Sequence, residues 1–291
     1  MGGQLSATYS PAHRCDVRVY DIEYRRDQHE SWQARIYQPL GNGPFPALLD
    51  VHGGAWNRGS RTNNQVMDQA LASSGIVVAA VDFRLAPDHP YPSQVADVNY
   101  ATRWLKAHAT DFNADPHSVG SLGSSSGGHT VMLSAMRPHD PRYACLAGLG
   151  RRNLDASVLY ALCAWPVLDP YARYLYAQDS GADRLAASTE AYFLTQEAMR
   201  EGNPQLALER GERVELPPTL IVQGTNDDNV PMSIPENFVR AFRAAGGDIE
   251  LEIFPGMPHG FGNTPGPESQ RAIDLMKTFV ARQLTKAAAA V

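Results

Sequence analysis

The chain has 291 residues, of which 43% are apolar and 19% charged, so it has the material for a buried core and is neither a disordered tail nor a disulfide miniprotein. Its 25 Lys and Arg against 31 Asp and Glu give a net charge of −6, which argues against nucleic acid or an anionic membrane as a partner. The 3 cysteines form no CxxC pair, and neither a secretory signal nor an apolar stretch of roughly 20 residues is visible, which together predict a cytoplasmic protein.

The first 44 residues are predicted to form an N-terminal arm of strands. Apolar and polar residues alternate over Cys15 to Arg25 and again over Trp32 to Tyr37, which predicts an antiparallel pair. The pattern then changes to short apolar runs at Phe45 to Val51 and Gly75 to Val81, which are typical of buried parallel strands. A helix is predicted between these two runs.

Strands and helices continue to alternate along the rest of the chain. Helical spacing over Gln94 to His108 precedes a strand at Ser118 to Leu122 and a helix of small residues that ends near Met136. The later predicted elements are strands in Ala156 to Ala164, Pro218 to Gln223 and Ile249 to Phe254, and helices at Ile234 to Ala245 and Glu268 to Leu284. This alternation predicts an α/β fold with a mostly parallel central sheet flanked by helices.

The segment 169–216 interrupts the alternation and is far longer than an ordinary connection of roughly 2–6 residues. Its aromatic residues are Tyr171, Tyr174, Tyr176, Tyr192 and Phe193. We predict that this segment is a helical cap or pocket wall over the carboxyl edge of the sheet. Surface helices without substrate contact are the alternative. With this one insertion, residues 1–291 are predicted to form a single α/β domain.

A Gly-Ser-Ser-Ser-Gly-Gly sequence, residues 123–128, lies between a predicted strand and a predicted helix. Gly123 and Gly127 permit a sharp turn there, because flanking side chains would clash with the adjacent strand and helix. The turn would expose the Ser125 hydroxyl and direct the first helical amides, beginning at Ser126, toward the group that it attacks. No Lys follows the motif, which argues against a phosphate-binding loop. Ser125 is therefore a candidate nucleophile.

Two adjacent glycines, Gly53 and Gly54, follow the predicted strand that ends at Val51. They belong to a His-Gly-Gly-Ala-Trp sequence, His52 to Trp56. Backbone N–H groups in such a turn are free to stabilise the oxyanion of an acyl-transfer intermediate, at about 2.7–4 kcal/mol for each donor. We expect His52 itself to be a hydrogen-bonded structural histidine rather than a base.

A serine nucleophile needs a base and a group that orients the base. Asp227 lies in Gly-Thr-Asn-Asp-Asp-Asn-Val-Pro, after the strand predicted at Pro218 to Gln223, and His259 lies in Gly-Met-Pro-His-Gly-Phe, after the last strand. The chain order Ser125, Asp227, His259 is that of α/β-hydrolases. Asp228 is an alternative for the acid.

From about Phe45 to Leu284, these motifs resemble the α/β-hydrolase fold. Within it they resemble the hormone-sensitive-lipase-like carboxylesterases, together with related arylformamidase-like and small-acyl esterases. The segment 82–92, which contains Arg-Leu-Ala-Pro-Asp, is similar to the Tyr-Arg-Leu-Ala-Pro-Glu segment of that group. Carried over position by position, the resemblance implies a catalytic set, Ser125, Asp227 and His259, and an oxyanion set, the amides of Gly53, Gly54 and Ser126.

Two features depart from the hormone-sensitive-lipase-like pattern. Ser124 stands where these enzymes usually carry an acidic residue. The acid motif Asp-Pro-Leu-x-Asp-Glu is also missing, and the sequence around Asp227 is similar instead to that of prolyl-oligopeptidase-like, feruloyl or acetyl esterase and dienelactone-hydrolase-like members.

The motifs and the resemblance predict a serine carboxylic-ester hydrolase that acts on small soluble acyl esters through an acyl-enzyme. An arylformamidase or other amidase and a lactone hydrolase would use the same groups, and a non-catalytic ligand-binding protein is the remaining alternative. Trp56 and Tyr160 are candidate walls of the substrate pocket. We expect no cofactor and no metal site, because the histidines are scattered. The expected partner is a small-molecule ester or amide; the oligomeric state is open, and a homodimer is compatible with the sequence.

Overall fold

The computed structural model describes residues 7–150 and 154–290, and within them eight strands form one sheet. The strands are β1 (Val17–Arg26), β2 (Ser31–Pro39), β3 (Ala47–Val51), β4 (Val77–Val81), β5 (Gly120–Ser124), β6 (Ala161–Ala164), β7 (Thr219–Gly224) and β8 (Ile249–Phe254). Their spatial order is β1-β2-β4-β3-β5-β6-β7-β8. β2 is antiparallel to both of its neighbours, and β3 to β8 run parallel. The predicted antiparallel pair and mostly parallel sheet are confirmed; residues 1–6 of the predicted arm and residue 291 of the predicted domain lie outside the described residues.

Helices cover both faces of the sheet. They are α1 (Gln65–Ser73), α2 (Ser93–His108), α3 (Ser126–Met136), α4 (Pro170–Asp179), α5 (Asp183–Phe193), α6 (Gln196–Glu201), α7 (Pro204–Glu209), α8 (Ser233–Ala244) and α9 (Pro267–Ala289). Successive strand residues point to opposite faces, so Leu48 packs in the core on the α1 and α9 side, whereas Leu49 packs on the α2 side. The central strands are buried on both faces, which explains their continuous apolar sequences.

Helices α4 to α7 occupy most of the inserted segment and are short, with local caps. The side chain of Asp169 accepts a hydrogen bond from the first turn of α4, Thr195 does so for α6, and Asn203 for α7. The Asn203 side chain also donates to Asp169, at 2.7 Å, and so links the start of α7 to the start of α4. These bonds hold several short helices that would be marginal alone.

The inserted segment contacts the loops at the carboxyl ends of the parallel strands. Asn57, in the loop after β3, donates a hydrogen bond to Ser188 of α5 at 3.0 Å. Tyr176 of α4 donates to the backbone oxygen of Asp228, in the loop after β7, at 3.2 Å. The segment therefore lies at the edge of the sheet where the candidate site residues were predicted.

Candidate active site

Ser125 occupies a strained turn between β5 and α3. Its φ and ψ are 53° and −120°, a conformation that few non-glycine residues adopt. The flanking glycines are required by close contacts: a Cβ on Gly123 would lie 2.6 Å from the Gly127 carbonyl oxygen, and one on Gly127 would lie 2.1 Å from the carbonyl oxygen of Val51. The turn thus presses against β3 and presents the hydroxyl at the sheet edge.

The structure brings Ser125, His259 and Asp227 into one hydrogen-bonded row. Ser125 Oγ lies 2.9 Å from His259 Nε2. His259 Nδ1 lies 2.8 Å from Asp227 Oδ2. Asp228, the alternative acid, is exposed and makes no hydrogen bond to His259. Loops after three different strands supply the row, because the carboxyl ends of parallel strands meet at one edge.

Hydrogen bonds from several directions fix the Asp227 carboxylate. Oδ1 accepts from the backbone N–H groups of Asn229 and Val230, at 2.9 and 2.8 Å. Oδ2 accepts from Gln223 Nε2 at 2.8 Å, besides facing His259. A carboxylate with this many donors has one orientation and needs no further partner.

A buried cation, Arg173 of α4, interacts electrostatically with this carboxylate. Its guanidinium carbon is 5.2 Å from the centre of the Trp56 ring. Burial lowers the pKa of Arg173 to about 10, and the negative charge of Asp227 opposes that shift. The inserted segment therefore contributes a positive charge close to the Ser125 row.

The glycine loop, residues 53–58, lies opposite the histidine. The N–H of Gly53 donates to Ser124 Oγ at 3.0 Å, so the expectation that Gly53 offers a free donor is wrong. The N–H groups of Gly54, Ala55 and Ser126 make no hydrogen bond within residues 7–150 and 154–290. Gly54 and Ala55 have φ of 124° and 51°. The uncommitted donors thus begin one residue later than the sequence predicted.

A cavity of about 130 Å³ lies between the glycine loop and His259. Its lining residues are Gly53, Gly54, Ala55, Arg58, Asn63, Asn64, Ser124, Ser125, Trp165, Asn229, His259, Gly260 and Asn263. Arg58 is the cation of this lining, Trp165 is its aromatic residue, and none of the lining residues is acidic. The lining also includes no residue of 169–216, so the inserted segment lies behind the wall of this cavity rather than in it.

Trp56 and Tyr160 do not line the cavity, contrary to the sequence prediction. Trp56 is 1% exposed; it stacks on Tyr192 at 5.3 Å and donates from Nε1 to His129 Nδ1. Tyr160 is 0% exposed and lies before β6, at the amino end of the sheet and away from Ser125. Both are core residues. Trp165 lines the cavity instead, and its place directly after β6 is the signal that would have identified it.

His52 is a structural residue, as expected. It is buried, its ring stacks on Phe83 at 4.3 Å, and its Nδ1 lies 2.7 Å from the carbonyl oxygen of Gly53. Burial lowers the pKa of His52 to about 4, so the ring is neutral near pH 7. A neutral ring with Nδ1 protonated donates to Gly53 and holds the start of the glycine loop.

Metal and membrane signals were also sought over the described parts of the chain. There, no three or more His, Cys, Asp or Glu residues come together as a metal-binding group. Nor does any helix of those parts have the combined length and apolar character needed to cross a bilayer.

A family model described as the alpha/beta hydrolase fold matches residues 48–263, a range that contains Ser125, Asp227 and His259. The chain is 29% identical over 259 residues to Esterase LipC of Mycobacterium tuberculosis, which covers 86% of this chain and 61% of that protein. It is 27% identical over 270 residues to Carboxylesterase NlhH of the same organism, covering 85% of this chain and 76% of that protein. The chain therefore spans less than two thirds of the length of LipC.

Solved structures share the architecture. A thermophilic esterase of Thermogutta terrifontis, bound to propionate, superposes with a TM-score of 0.71 at 26% identity, covering 92% of this chain and 94% of that one. An esterase of Pyrobaculum calidifontis superposes with a TM-score of 0.74 at 24% identity, covering 91% of this chain and 85% of that one, and shows the shared fold. Strand order, the turn at Ser125 and the match over residues 48–263 agree, and the chain belongs to the alpha/beta hydrolase fold family.

Proposed function

We propose that the chain is a carboxylic ester hydrolase that works through an acyl-enzyme on Ser125. The observation that carries the proposal is the row of Ser125 Oγ, His259 and Asp227, joined by distances of 2.9 and 2.8 Å at the wall of a cavity. The curated relatives reported above are named esterases, which supports the same reaction class.

In the first step, His259 Nε2 takes the proton of Ser125 Oγ as the oxygen attacks the ester carbonyl carbon. The carbonyl π electrons move to the carbonyl oxygen, which becomes an oxyanion. Asp227 accepts the Nδ1–H of His259, so it keeps Nε2 free as the base and stabilises the imidazolium that forms.

The oxyanion would be held by backbone donors of the glycine loop and of α3. Gly54, Ala55 and Ser126 carry the N–H groups that have no other described acceptor. The positive end of α3 reinforces them, because unpaired amides at a helix N-terminus attract negative charge. Each well-placed donor is worth about 2.7–4 kcal/mol in the transition state.

Collapse of the intermediate breaks the bond between the carbonyl carbon and the leaving oxygen. The proton on His259 Nε2 passes to that oxygen, and the alcohol leaves. Water then attacks the acyl-Ser125 with the same histidine as base, and the acid is released as the Ser125 oxygen regains its proton. No other reactant is needed.

The cavity favours a small, polar ester. Its volume of about 130 Å³ and its Arg and Asn side chains give a long alkyl chain little apolar wall to bury against. The related Thermogutta terrifontis esterase has a structure with bound propionate, a short acyl group. The aromatic residues of 169–216, which could have stacked on an aryl substrate, do not line the cavity. An ester is therefore proposed over an arylformamide.

Active-site labelling tests the reaction, and a substrate series tests its size. A fluorophosphonate is expected to label one serine per chain in the wild type, and none in Ser125→Ala or in His259→Ala. Turnover of p-nitrophenyl esters is expected to fall steadily from acetate to octanoate. An unlabelled wild type would contradict the acyl-enzyme, and a preference for octanoate would contradict the small substrate.

A further inference from the structure

A buried chain of side chains runs beneath the glycine loop and ends on it. Asn64 Nδ2 donates to Asp50 Oδ1 at 2.8 Å. Ser124 Oγ donates to Asn64 Oδ1 at 3.0 Å, and the N–H of Gly53 donates to Ser124 Oγ at 3.0 Å. The three side chains are at most 2% exposed. A carboxyl group of β3 is thus connected to the glycine loop through almost fully buried side chains, of which Asn64 and Ser124 also line the cavity.

Asn64 is used in an unusual way. It precedes α1 directly, at the position where an Asn side chain commonly accepts an N–H of its own helix. Here that side chain makes no capping bond and spans from Asp50 to Ser124 instead. Helix α1 therefore lacks a side-chain cap at its N-terminus, and Asn64 connects Asp50 to Ser124 instead.

Asp50 is expensive to bury. Its Oδ2 has no hydrogen-bond partner among the described residues, and the same holds for both carboxyl oxygens of Asp68, a fully buried neighbour on α1. Unpaired buried polar atoms of this kind cost stability. Neither acid takes part in the reaction steps above, so the cost requires another explanation.

The acid determines the direction of every hydrogen bond in the chain. Because Asp50 Oδ1 accepts, Asn64 must present its NH2 group there and its carbonyl oxygen to Ser124. The Ser124 hydroxyl then donates its one hydrogen to Asn64, and its oxygen accepts a hydrogen bond from the N–H of Gly53. Without an acceptor at position 50, nothing fixes the amide orientation, and a rotated Asn64 would leave Ser124 to aim its proton at the N–H of Gly53.

The last bond of the chain sets the distance between the glycine loop and the nucleophile. A Cβ on Gly53 would lie only 2.9 Å from Ser125 Cβ, so the loop backbone rests directly on that side chain. The next two residues, Gly54 and Ala55, carry the uncommitted N–H groups. A small shift at Gly53 therefore moves both of these donors relative to the Ser125 hydroxyl.

We propose that Asp50, Asn64 and Ser124 are positioning residues: a buried relay in which the Asp50 carboxyl orients the glycine loop for catalysis. This inference rests on the proposed esterase function, since it concerns how that reaction's oxyanion is held.

Two buried acids provide a matched pair for the test. Asp50→Leu removes the acceptor at the head of the relay, whereas Asp68→Leu makes the same change beside it, at a carboxyl that bonds to no relay member. In the full-length protein, with active sites counted by fluorophosphonate, Asp50→Leu is expected to lower kcat per labelled site about tenfold to hundredfold, because Asn64 then loses its fixed orientation. KM for p-nitrophenyl acetate is expected to stay within about twofold, and Asp68→Leu to keep kcat within about twofold.

A transition-state analogue separates positioning from general damage. A trifluoromethyl ketone adds to the serine and forms an oxyanion, so its inhibition constant in Asp50→Leu is expected to rise by the factor by which kcat/KM falls. If Asp50→Leu lowers only the number of labelled sites, or acts no differently from Asp68→Leu, the relay is refuted. If the wild type itself neither labels nor turns over ester, the proposed function has failed instead.

Reversing the relay is the sharpest test. In the double variant Asp50→Asn with Ser124→Asp, the new carboxylate accepts from Gly53, the rotated Asn64 donates to it, and position 50 supplies the remaining donor. All bonds are then satisfied with opposite polarity, and kcat per labelled site is expected to recover to within about threefold of wild type. Ser124→Asp alone places an acceptor at each end of Asn64, and a double variant no faster than that single variant would overturn the proposal.

A serine pair on β5 covers the case in which Asp50→Leu fails to fold. Ser124→Ala breaks the relay, while Ser121→Ala removes an equally buried hydroxyl that has no hydrogen-bond partner. We expect Ser124→Ala to lower kcat per site about tenfold and Ser121→Ala to leave it within about twofold. Equal effects of the two would contradict the relay.

Discussion

The two sides of the candidate site each contain a buried aspartate, and the two are treated in opposite ways. Asp227, on the histidine side, accepts hydrogen bonds at both oxygens from side-chain and backbone donors. Asp50, on the glycine-loop side, accepts from Asn64 through Oδ1 and leaves Oδ2 unpaired within the described structure. Both oxygens of Asp227 therefore have hydrogen-bond donors, whereas only one oxygen of Asp50 has a donor.

The difference shows that the free-energy cost of burying a negative charge depends on the hydrogen-bond donors around it. Donors replace the lost water around Asp227, so that side can hold a negative charge and face an imidazolium. Around Asp50 they do not, and burial raises the pKa of Asp50 to about 7. We therefore expect changes on the histidine side to act mainly on kcat. On the glycine-loop side, we expect burial of Asp50 to lower the free energy of unfolding while it helps to position the N–H groups of Gly54 and Ala55.

The largest expected effect is on the histidine side. In Asp227→Asn, the amide NH2 replaces Oδ2 and faces His259 Nδ1, which must then turn its protonated nitrogen toward Ser125 and cannot act as base. We expect kcat to fall by about four orders of magnitude, the size of loss known for this change in serine proteases. p-Nitrophenyl acetate turnover per folded chain measures it.

Asp228→Asn is the control for that loss. Its carboxyl is exposed and does not bond to His259, so turnover is expected to stay near that of wild type. If Asp228→Asn lost activity and Asp227→Asn kept it, the acid would be misassigned and the comparison between the two sides would no longer hold.

The next effect concerns the glycine loop. Gly54→Ala would place a Cβ 2.0 Å from the carbonyl oxygen of Arg58 at a φ of +124°, so the backbone has to move. We expect kcat per labelled site to fall about 10²- to 10³-fold, as for the loss of one oxyanion donor, with KM little changed. Gly246→Ala also meets a positive φ, of +91°, but in open space. Gly246→Ala should lower the free energy of unfolding and leave kcat per labelled site unchanged. An equal loss of kcat per site in Gly54→Ala and Gly246→Ala would contradict a specific role of the glycine loop.

Much of this arrangement follows from the sequence. Ser125, Asp227 and His259 come together because each follows a strand, and each of these strands is a short segment that contains a glycine near its end or is followed by one within two residues. Gly123 and Gly127 follow from the same turn. Parallel pairing then brings residues far apart in the chain to one edge, and no knowledge of individual side-chain contacts is needed.

The parts that sequence reasoning missed depend on such contacts. Gly53 was expected to be a donor, but its N–H is taken by Ser124, which lies 71 positions away in the chain. Trp56 was expected in the pocket, yet it is stacked on Tyr192 of the inserted segment. Local patterns carry no information on these pairings, because a side chain from a distant element decides which group remains free.

The buried pair Asp50 and Asp68 should make the free energy of unfolding depend on pH. Burial raises the pKa of Asp50 to about 7, and burial together with the Asp50 charge raises the pKa of Asp68 well above its usual range. The folded state therefore keeps protons that the unfolded chain releases near pH 3.8. Where the folded state binds more protons, the free energy of unfolding decreases as pH rises, by about 1.4 kcal/mol per pH unit for each proton.

Asp68→Asn removes one of these groups. Relative to wild type, we expect the loss of unfolding free energy between pH 5 and pH 8 to be smaller, since one retained proton no longer contributes. Urea unfolding at the two pH values measures it, with the exposed Asp228→Asn as the variant in which the pH dependence should not change. An unaltered pH dependence in Asp68→Asn would mean that this carboxyl is not the costly group.

The smallest expected effect tests whether the glycine-loop side also selects the substrate. Arg58 ends the glycine loop, lines the cavity and has no ion-pair or hydrogen-bond partner for its guanidinium among the described residues. An exposed charge pair of this kind is worth up to about 1 kcal/mol, or roughly fivefold in rate. We expect Arg58→Gln to lower kcat/KM for 4-acetoxybenzoate relative to the neutral 4-acetoxybenzamide by about that factor.

The wild-type ratio of kcat/KM for the two esters should persist in Arg58→Lys, which keeps the charge, and in Arg240→Gln, which removes an exposed charge on α8. In the wild type, the preference for the anionic ester should weaken at high salt. If Arg58→Gln changed both esters equally, Arg58 would act on the geometry of the loop alone, and the cation would have no part in choosing the ester.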